Sequence, residues 1–310
     1  MDPIILFFIL GALAGLLRSD LKIPESFYNV LSIYLLLSIG IRGGMEMQKS
    51  GLAHIAFPSL MTMLLSVFIT ALSGLIARKV YGFSKEDAIA LSAHYGSVSA
   101  VTFAVVVSLL KSKQVQHEEF MTVLLVMMEI PAIITAVFYY KLKEHQSDFK
   151  VKTLIREVFF GKSILLLVGG LVIGAYIQYK GSLQFHVFFF DMFKGFLSIF
   201  MLEMGVIASA RMSDLKKAGL RVLLFGVSMP MVSGVLGVMA GHLMGLSVGG
   251  CTILASMASS ASYIAAPAAV QIAIPKANPT FYLTSALGVT FPFNLIIGIQ
   301  LYYQLAQWMA

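Results

Sequence analysis

The chain has 310 residues, of which 58% are hydrophobic and 12% are charged. Charged residues make up about a quarter of a typical soluble domain, so this composition excludes an ordinary soluble fold. The formal net charge is +7, but the basic residues sort by loop, as described below, so nucleic acid is not an expected partner.

Ten apolar segments follow one another along the chain, and a membrane-spanning helix needs about 20 such residues. They cover residues 3–17, 26–41, 52–77, 87–110, 119–140, 163–179, 186–208, 222–245, 249–274 and 279–303. With short connections, these segments occupy nearly the whole chain. The sequence therefore predicts an all-α integral membrane protein with ten transmembrane helices and no separate soluble domain.

The basic residues separate the loops into two classes. Of the 22 Lys and Arg residues, sixteen lie in loops after odd-numbered segments and five in loops after even-numbered segments, while Lys194 lies inside the seventh segment. Lys and Arg concentrate on the cytoplasmic side of membrane proteins. The odd loops are therefore predicted to face the cytoplasm, and both termini are predicted to lie outside.

The two halves of the chain resemble each other. Residues 96–99 match 259–262, and residues 129–132 match 290–293, in the same order and with offsets between about 161 and 168 along several such pairs. A second copy of a five-helix unit must insert upside down because five is an odd number. We expect two inverted five-helix repeats, residues 1–145 and 163–310, joined by a cytoplasmic linker over 146–162.

The fourth and ninth segments each carry a Gly/Ser-rich patch near their middle, at equivalent positions of the repeat. Such patches predict paired discontinuous helices, which in transporters form the binding site. The second half-helix would present free N–H groups and a positive dipole end to an anion. Close packing of small residues is the alternative explanation. The predicted substrate-binding residues are Gly96, Ser97, Val98, Ser99, Ser260, Ala261, Ser262 and Tyr263.

A cation site is predicted beside these breaks, where freed carbonyls and hydroxyls supply oxygen ligands. Glu129 directly precedes Ile130-Pro131, and it would act as a cation ligand or proton site unless it pairs with Lys194 or a loop base. Asn294 is its counterpart, either as a ligand or as an interhelical hydrogen-bonding group. The predicted metal ligands are Thr102, Glu129, Ser259 and Asn294.

Three further groups allow other interpretations. Glu203 lies near the middle of the seventh segment, where a functional role and a structural role are equally supported. Asp191 and Lys194 are spaced for an i,i+3 ion pair. His94 and Ser97 share a helix face and could form a nucleophile pair, although no Gly-x-Ser-x-Gly elbow accompanies them. An intramembrane hydrolase is therefore a remote alternative, and a hydrogen-bonded or pore-lining histidine is favoured.

The sequence also resembles a known family over essentially its whole length. Residues 261–270 (ASYIAAPAAV), Asn278-Pro279 and residues 287–295 (LGVTFPFNL) resemble the sodium-dependent bicarbonate transporter family, as do residues 23–26 (IPES) and Ile130-Pro131-Ala132. The family pattern has Asp before Ile-Pro-Ala, whereas this chain has Glu129, which is one methylene longer.

The resemblance implies a Na⁺/bicarbonate symporter of the inner membrane that assembles as a homotrimer in the lipid bilayer. It implies that a core domain moves against a gate domain by alternating access, with the anion and Na⁺ held between the two broken helices. Cyanobacterial members are regulated by a PII-like protein at the cytoplasmic face, and the short linker here weakens that expectation. Another small anion or carboxylate, coupled to Na⁺ or H⁺, is the alternative cargo.

Overall fold

The computed structural model describes residues 2–21, 23–50, 52–144, 156, 160–177 and 183–310. For residues 48–50, 52, 53, 143, 144, 183 and 184 it describes the backbone only. Most of the predicted linker, residues 146–155 and 157–159, lies outside the described part of the chain.

Every regular element among the described residues is helical. The helices, in chain order, are α1 Pro3–Leu16, α2 Glu25–Ser50, α3 Leu52–Lys79, α4 Lys85–Gly96, α5 Ala100–Ser112, α6 Met121–Glu144, α7 Lys162–Ile177, α8 Phe193–Ala218, α9 Leu220–Leu243, α10 Val248–Ala258, α11 Ala265–Ala273 and α12 Pro279–Met309. A helical turn, Leu183–His186, and a π-helix, Val187–Asp191, precede α8. Helix α12 contains two further π-helical stretches, Thr284–Thr290 and Asn294–Gly298, on either side of Pro292, which has no N–H to donate.

Seven stretches of the described chain are long and apolar enough to cross a membrane. They are Glu25–Met47, His54–Lys79, Lys85–Ser112, Met121–Leu142, Val187–Ala218, Leu220–Leu243 and Pro279–Met309. Three shorter apolar helices, Pro3–Leu16, Lys162–Ile177 and Val248–Ala258, fall below the span length. This content of apolar helix agrees with the membrane protein that the composition predicts.

Helices α1, α2, α7 and α8 form one group, which we call the four-helix group. Helix α1 packs along α8, α2 packs along α7, and α2 also contacts α8. Glycines allow these pairs to approach closely: a Cβ at Gly11 would overlap the Leu202 backbone, and Gly40 and Gly170 face each other. Small residues at helix contacts are the usual way in which helices associate in lipid, where the hydrophobic effect adds nothing.

The remaining helices surround two places where the chain leaves the helical path. Helix α4 packs between α3 and α6, and α10 packs between α9 and α12. The halves then cross, because α5 contacts α10 and α4 contacts α11. Residues of the fourth and ninth apolar segments are thereby brought together inside the protein.

The described helices differ from the predicted segments at several ends. Helices α2 and α8 continue to Ser50 and Ala218, beyond the predicted ends at 41 and 208. The added turns contain Met, Glu, Lys, Leu and Ala, which favour helix although they are not all apolar. Hydropathy therefore marks the apolar part of a helix, and the helix itself can be longer.

The predicted ion pair between Asp191 and Lys194 is wrong. The Lys194 Nζ atom lies 3.7 Å from a carboxylate oxygen of Asp2, and Asp191 lies 3.5 Å from the Nδ1 atom of His186. The i,i+3 rule assumes α-helical spacing, but Asp191 ends a π-helix, whose wider turn changes which side chains share a face. Asp2 also accepts a hydrogen bond from the Ile4 amide at 2.9 Å and so caps α1.

Candidate functional site

The first helix break separates α4 from α5. Helix α4 ends at Gly96, residues 97–99 are not helical, and α5 begins at Ala100. Ser99 has an extended backbone, and its hydroxyl accepts a hydrogen bond from the Thr102 amide at 3.1 Å. This is the usual geometry of a serine N-cap, so the sequence itself restarts the helix here. The Ser66 hydroxyl lies 3.0 Å from the freed carbonyl of Gly96.

The second helix break separates α10 from α11. Helix α10 ends at Ala258, and α11 begins at Ala265. The Ser262 hydroxyl accepts a hydrogen bond from the Ala266 amide at 3.2 Å, so Ser262 covers the start of α11 as Ser99 covers the start of α5. Pro267 contributes no N–H to this first turn. The two restarting helices thus each use a serine from equivalent places in the sequence.

Two hydrogen bonds join the breaks directly. The Ser99 amide donates to the Ser260 hydroxyl at 2.8 Å, and the Ser262 amide donates to the His94 carbonyl at 2.8 Å. Ser97, Ser99, Ser260 and Ser262 are all at least 96% buried. The structure therefore brings the predicted substrate-binding residues of both breaks into one buried region.

The first turn of α5 carries backbone donors without an acceptor. The Thr102 amide is bound by Ser99, but the amides of Ala100 and Val101 have no acceptor in the part of the chain that the structure describes. The first amides of any helix lack an intrahelical partner, and the helix dipole adds positive potential there. A small anion could satisfy both groups.

A small cavity lies where the breaks meet α6 and α7. Its lining residues are Val98, Ser99, Ala100, Glu129, Ser163, Ser262, Tyr263 and Ile264. The cavity volume is about 10 Å³. A single water molecule needs about 10–15 Å³ when the volume is defined in the same way. In this conformation the cavity has room for about one water-sized or ion-sized group.

Glu129 is the charged group of this cavity. Its side chain is 3% exposed, the Ser163 hydroxyl donates to its carboxylate, and its Oε2 atom has no hydrogen-bond partner within the described chain. Lys194, which could have neutralised it, pairs with Asp2 instead. A buried carboxylate without a counter-ion is unfavourable unless a proton or a cation joins it. Tyr263 also lines this cavity, and its hydroxyl lies next to the Ser99 side chain.

The other predicted metal ligands do not line this cavity. The Asn294 Nδ2 atom donates to the Ser259 carbonyl at 2.9 Å, and its Oδ1 atom accepts from the Tyr302 hydroxyl at 3.1 Å. Asn294 therefore holds the end of α10 against α12, as the interhelical alternative anticipated. The Thr102 hydroxyl is buried and has no partner among the described residues, but it too lies outside the lining set.

His94 and Ser97 are not hydrogen-bonded to each other. The His94 Nδ1 atom lies 2.7 Å from the Ala90 carbonyl, which requires a proton on Nδ1, and the ring stacks on Tyr282 at 4.4 Å between centroids. The Ser97 hydroxyl donates to the Glu129 carbonyl at 3.3 Å. Without a Ser–His contact, the arrangement lacks the activated nucleophile that a hydrolase needs.

Sequence reasoning missed Ser163 and a buried network around Tyr95. Ser163 sits at the start of α7, where a serine normally indicates nothing more than a helix end. The Tyr95 hydroxyl lies 2.6 Å from both Ser285 and Thr290, and Thr290 donates to the Gly226 carbonyl at 2.7 Å. Polar residues inside apolar segments were the available signal for this network, but their partners depend on how the helices cross.

A comparison with protein families decides the class of this protein. The family model described as the Na⁺-dependent bicarbonate transporter superfamily matches residues 3–307. The chain belongs to this family. No curated protein matches it. The resemblance seen in the sequence is thereby confirmed, and the protein is a multi-pass membrane transporter of the Na⁺-dependent bicarbonate transporter superfamily and not an enzyme.

Proposed function

We propose that this transporter is a Na⁺/bicarbonate symporter that works by alternating access. The observation that carries the proposal is the juncture of the two breaks, where unsatisfied amides of α5 lie beside the unneutralised carboxylate of Glu129. An anion and a cation each find complementary groups within one buried region. Binding the two together reduces the cost of placing either charge inside the membrane.

The cation half of the site centres on Glu129. Na⁺ favours oxygen ligands, and the cavity offers a carboxylate, serine hydroxyls and the tyrosine hydroxyl of Tyr263. Its volume suits a single ion. Thr102 remains a further candidate ligand, because its buried hydroxyl has no partner among the described residues, whereas the Ser259 hydroxyl and the Asn294 side chain are already bonded.

The anion half uses the amides of Ala100 and Val101 in the first turn of α5, where Ala100 lines the cavity together with Ser99 and Ser262. Bicarbonate has three oxygens and does not fit a cavity of about 10 Å³. Loading of bicarbonate therefore requires this cavity to widen. Such a change between a closed and an opened cavity is what alternating access requires.

An inverted repeat with ten spans is part of the proposal. The seven long candidate spans and the three shorter apolar helices support the count of ten, because each falls in a different apolar segment of the sequence. The contacts α1 with α8 and α2 with α7 pair the first helix of each half with the second helix of the other. The serines Ser99 and Ser262, which bond the first turns of α5 and α11, also support two related halves. We further propose that both termini lie outside and that the protein lies in the cell inner membrane, in line with the distribution of basic residues and the family resemblance.

A proton-coupled carrier of another small anion or carboxylate is the second candidate. Glu129 supports it, because a buried carboxylate without a cation can be neutralised by a proton instead. For the assembly we propose a homotrimer, in line with the family resemblance. Binding of a PII-like regulator at the cytoplasmic face is a weaker proposal, since the segment between the halves is short.

Uptake into proteoliposomes tests the proposal. Labelled bicarbonate should accumulate in response to an inward Na⁺ gradient, and a pH gradient of equal size should not replace it. Uptake that follows the pH gradient and ignores Na⁺ would favour the second candidate. Ser262→Ala should reduce Na⁺-driven uptake, whereas Ser112→Ala, which removes an exposed hydroxyl bonded to the Leu109 carbonyl outside the cavity, serves as the control.

A further inference from the structure

Ser163 differs from the other residues that line the Glu129 cavity. The others belong to the two breaks, to α5 or to α6, whereas Ser163 lies in the first turn of α7. It is 3% exposed, and its hydroxyl donates to the Glu129 carboxylate. A fully buried hydroxyl held against an otherwise unpartnered carboxylate is placed to contact whatever the carboxylate binds.

The packing of α7 gives this placement its consequence. Helix α7 lies along α2, and the Gly40–Gly170 contact holds their backbones together within the four-helix group. Glu129 lies on α6, which packs with α3 and α4 around the first break. The hydrogen bond from Ser163 to Glu129 therefore joins the four-helix group to α6 at the cavity, where α6 also contacts α2 and α7.

We propose that Ser163 is a cation ligand contributed by the four-helix group, so that Na⁺ is bound across the seam between this group and the broken helices. A serine oxygen carries two lone pairs, so it can ligate the ion when its proton turns away from the carboxylate. This inference rests on the proposed Na⁺ coupling. It adds Ser163 of α7 to a cation site otherwise formed by the two breaks and α6.

Ser163 belongs to the four-helix group and Glu129 belongs to α6. Together they can bind Na⁺ tightly only when the two are in the relative position seen in this structure. Na⁺ would then favour this closed arrangement by its differential affinity for it. If the broken helices move relative to the four-helix group during transport, the carboxylate leaves Ser163 and the ion loses a ligand. The seam thus provides a physical reason for Na⁺ release to follow the conformational change.

Ser163→Ala tests the inference in the purified full-length protein. Without bicarbonate, the Na⁺ concentration needed for a given rise in Tm should increase at least about 10-fold, which is the effect of losing one contact to a charged group. The Na⁺ concentration for half-maximal bicarbonate uptake should rise by the same factor. The bicarbonate KM at saturating Na⁺ should stay unchanged, because the anion contacts are intact.

Two variants make the result specific. Ser163→Thr keeps the hydroxyl and should restore Na⁺ affinity. Ser233→Ala removes a fully buried serine whose hydroxyl bonds the Met229 carbonyl away from the cavity, and should leave Na⁺ affinity unchanged. Wild-type Na⁺ affinity in Ser163→Ala would overturn the inference while leaving the symport proposal standing. Absence of any Na⁺ effect in the wild-type protein would instead overturn the symport proposal.

Discussion

Each helix break is contacted by a polar residue from a neighbouring helix. At the first break this residue is the acid Glu129 of α6, and at the second break it is the amide Asn294 of α12. The Ser97 hydroxyl donates to the Glu129 carbonyl, and the Asn294 amide donates to the Ser259 carbonyl. Yet the Glu129 side chain keeps an oxygen without a partner, whereas both side-chain groups of Asn294 are bonded.

This contrast separates backbone similarity from chemical similarity. At both breaks a serine hydroxyl accepts a hydrogen bond from the restarting helix, and residues of both breaks line the cavity, but the polar side chain next to the first break is an unneutralised acid. The Asn294 amide donates to the Ser259 carbonyl, which would otherwise be free to bind a cation. The two halves can therefore share a fold and still have different roles: Glu129 binds the cation, and Asn294 forms hydrogen bonds between helices.

The largest expected effect comes from neutralising the acid. Glu129→Gln should lower Na⁺-stimulated bicarbonate uptake at least about 100-fold, since breaking a buried charge interaction costs about 3–5 kcal/mol. Glu129→Asp keeps the charge and should keep Na⁺-stimulated uptake. Initial rates measured over a range of Na⁺ concentrations decide the matter, and full Na⁺ stimulation in Glu129→Gln would place the cation elsewhere.

The sequence predicted the helical class, the family and the residues of both breaks, because apolar length and Gly/Ser interruptions are local signals. The contrast between Glu129 and Asn294 was visible only as two polar residues at matching places. What the sequence could not supply is which side chain is already satisfied. Whether a side chain is satisfied depends here on the hydrogen bond from Tyr302 to Asn294 and on the ion pair between Lys194 and Asp2. Both contacts result from the packing of the helices in three dimensions.

Ser163 shows the same limit from the other direction. A serine next to Lys162 at the start of an apolar segment has many ordinary explanations, and none of them refers to Glu129. Its role emerges only because α7 and α6 come together at the cavity. Long-range packing of this kind leaves no periodic trace in the chain.

An intermediate effect is expected at the second break. Asn294→Ala removes the bonds to Ser259 and Tyr302, and losing two buried hydrogen bonds should cost about 1–3 kcal/mol of stability. Tm in detergent should fall, while the Na⁺ concentration for half-maximal uptake stays near the wild-type value. Gln300→Ala, on the same helix, is the control. A large loss of Na⁺ affinity in Asn294→Ala would make this amide a cation ligand and remove the contrast between the breaks.

The smallest expected effect is the difference in Tm between Ser99→Ala and Ser262→Ala, which each remove a hydroxyl that bonds the first turn of a restarting helix. Removing a serine cap costs about 0.5–2 kcal/mol, and Ser99 is such a cap, whereas the N-cap position of α11 is Ile264 and Ser262 lies before it. Ser99 bonds the amide three residues on at 3.1 Å, as a regular cap does, whereas Ser262 bonds the amide four residues on at 3.2 Å. Ser99→Ala should therefore lower Tm more than Ser262→Ala in the absence of Na⁺.

Hydrogen exchange can locate these two losses on the chain. The Thr102 amide should exchange faster in Ser99→Ala, and the Ala266 amide should exchange faster in Ser262→Ala, each without the other changing. If both amides respond to either substitution, the two restarting helices melt as one unit. The bonds that join the breaks, from the Ser99 amide to Ser260 and from the Ser262 amide to His94, would then outweigh the individual caps in holding the site together.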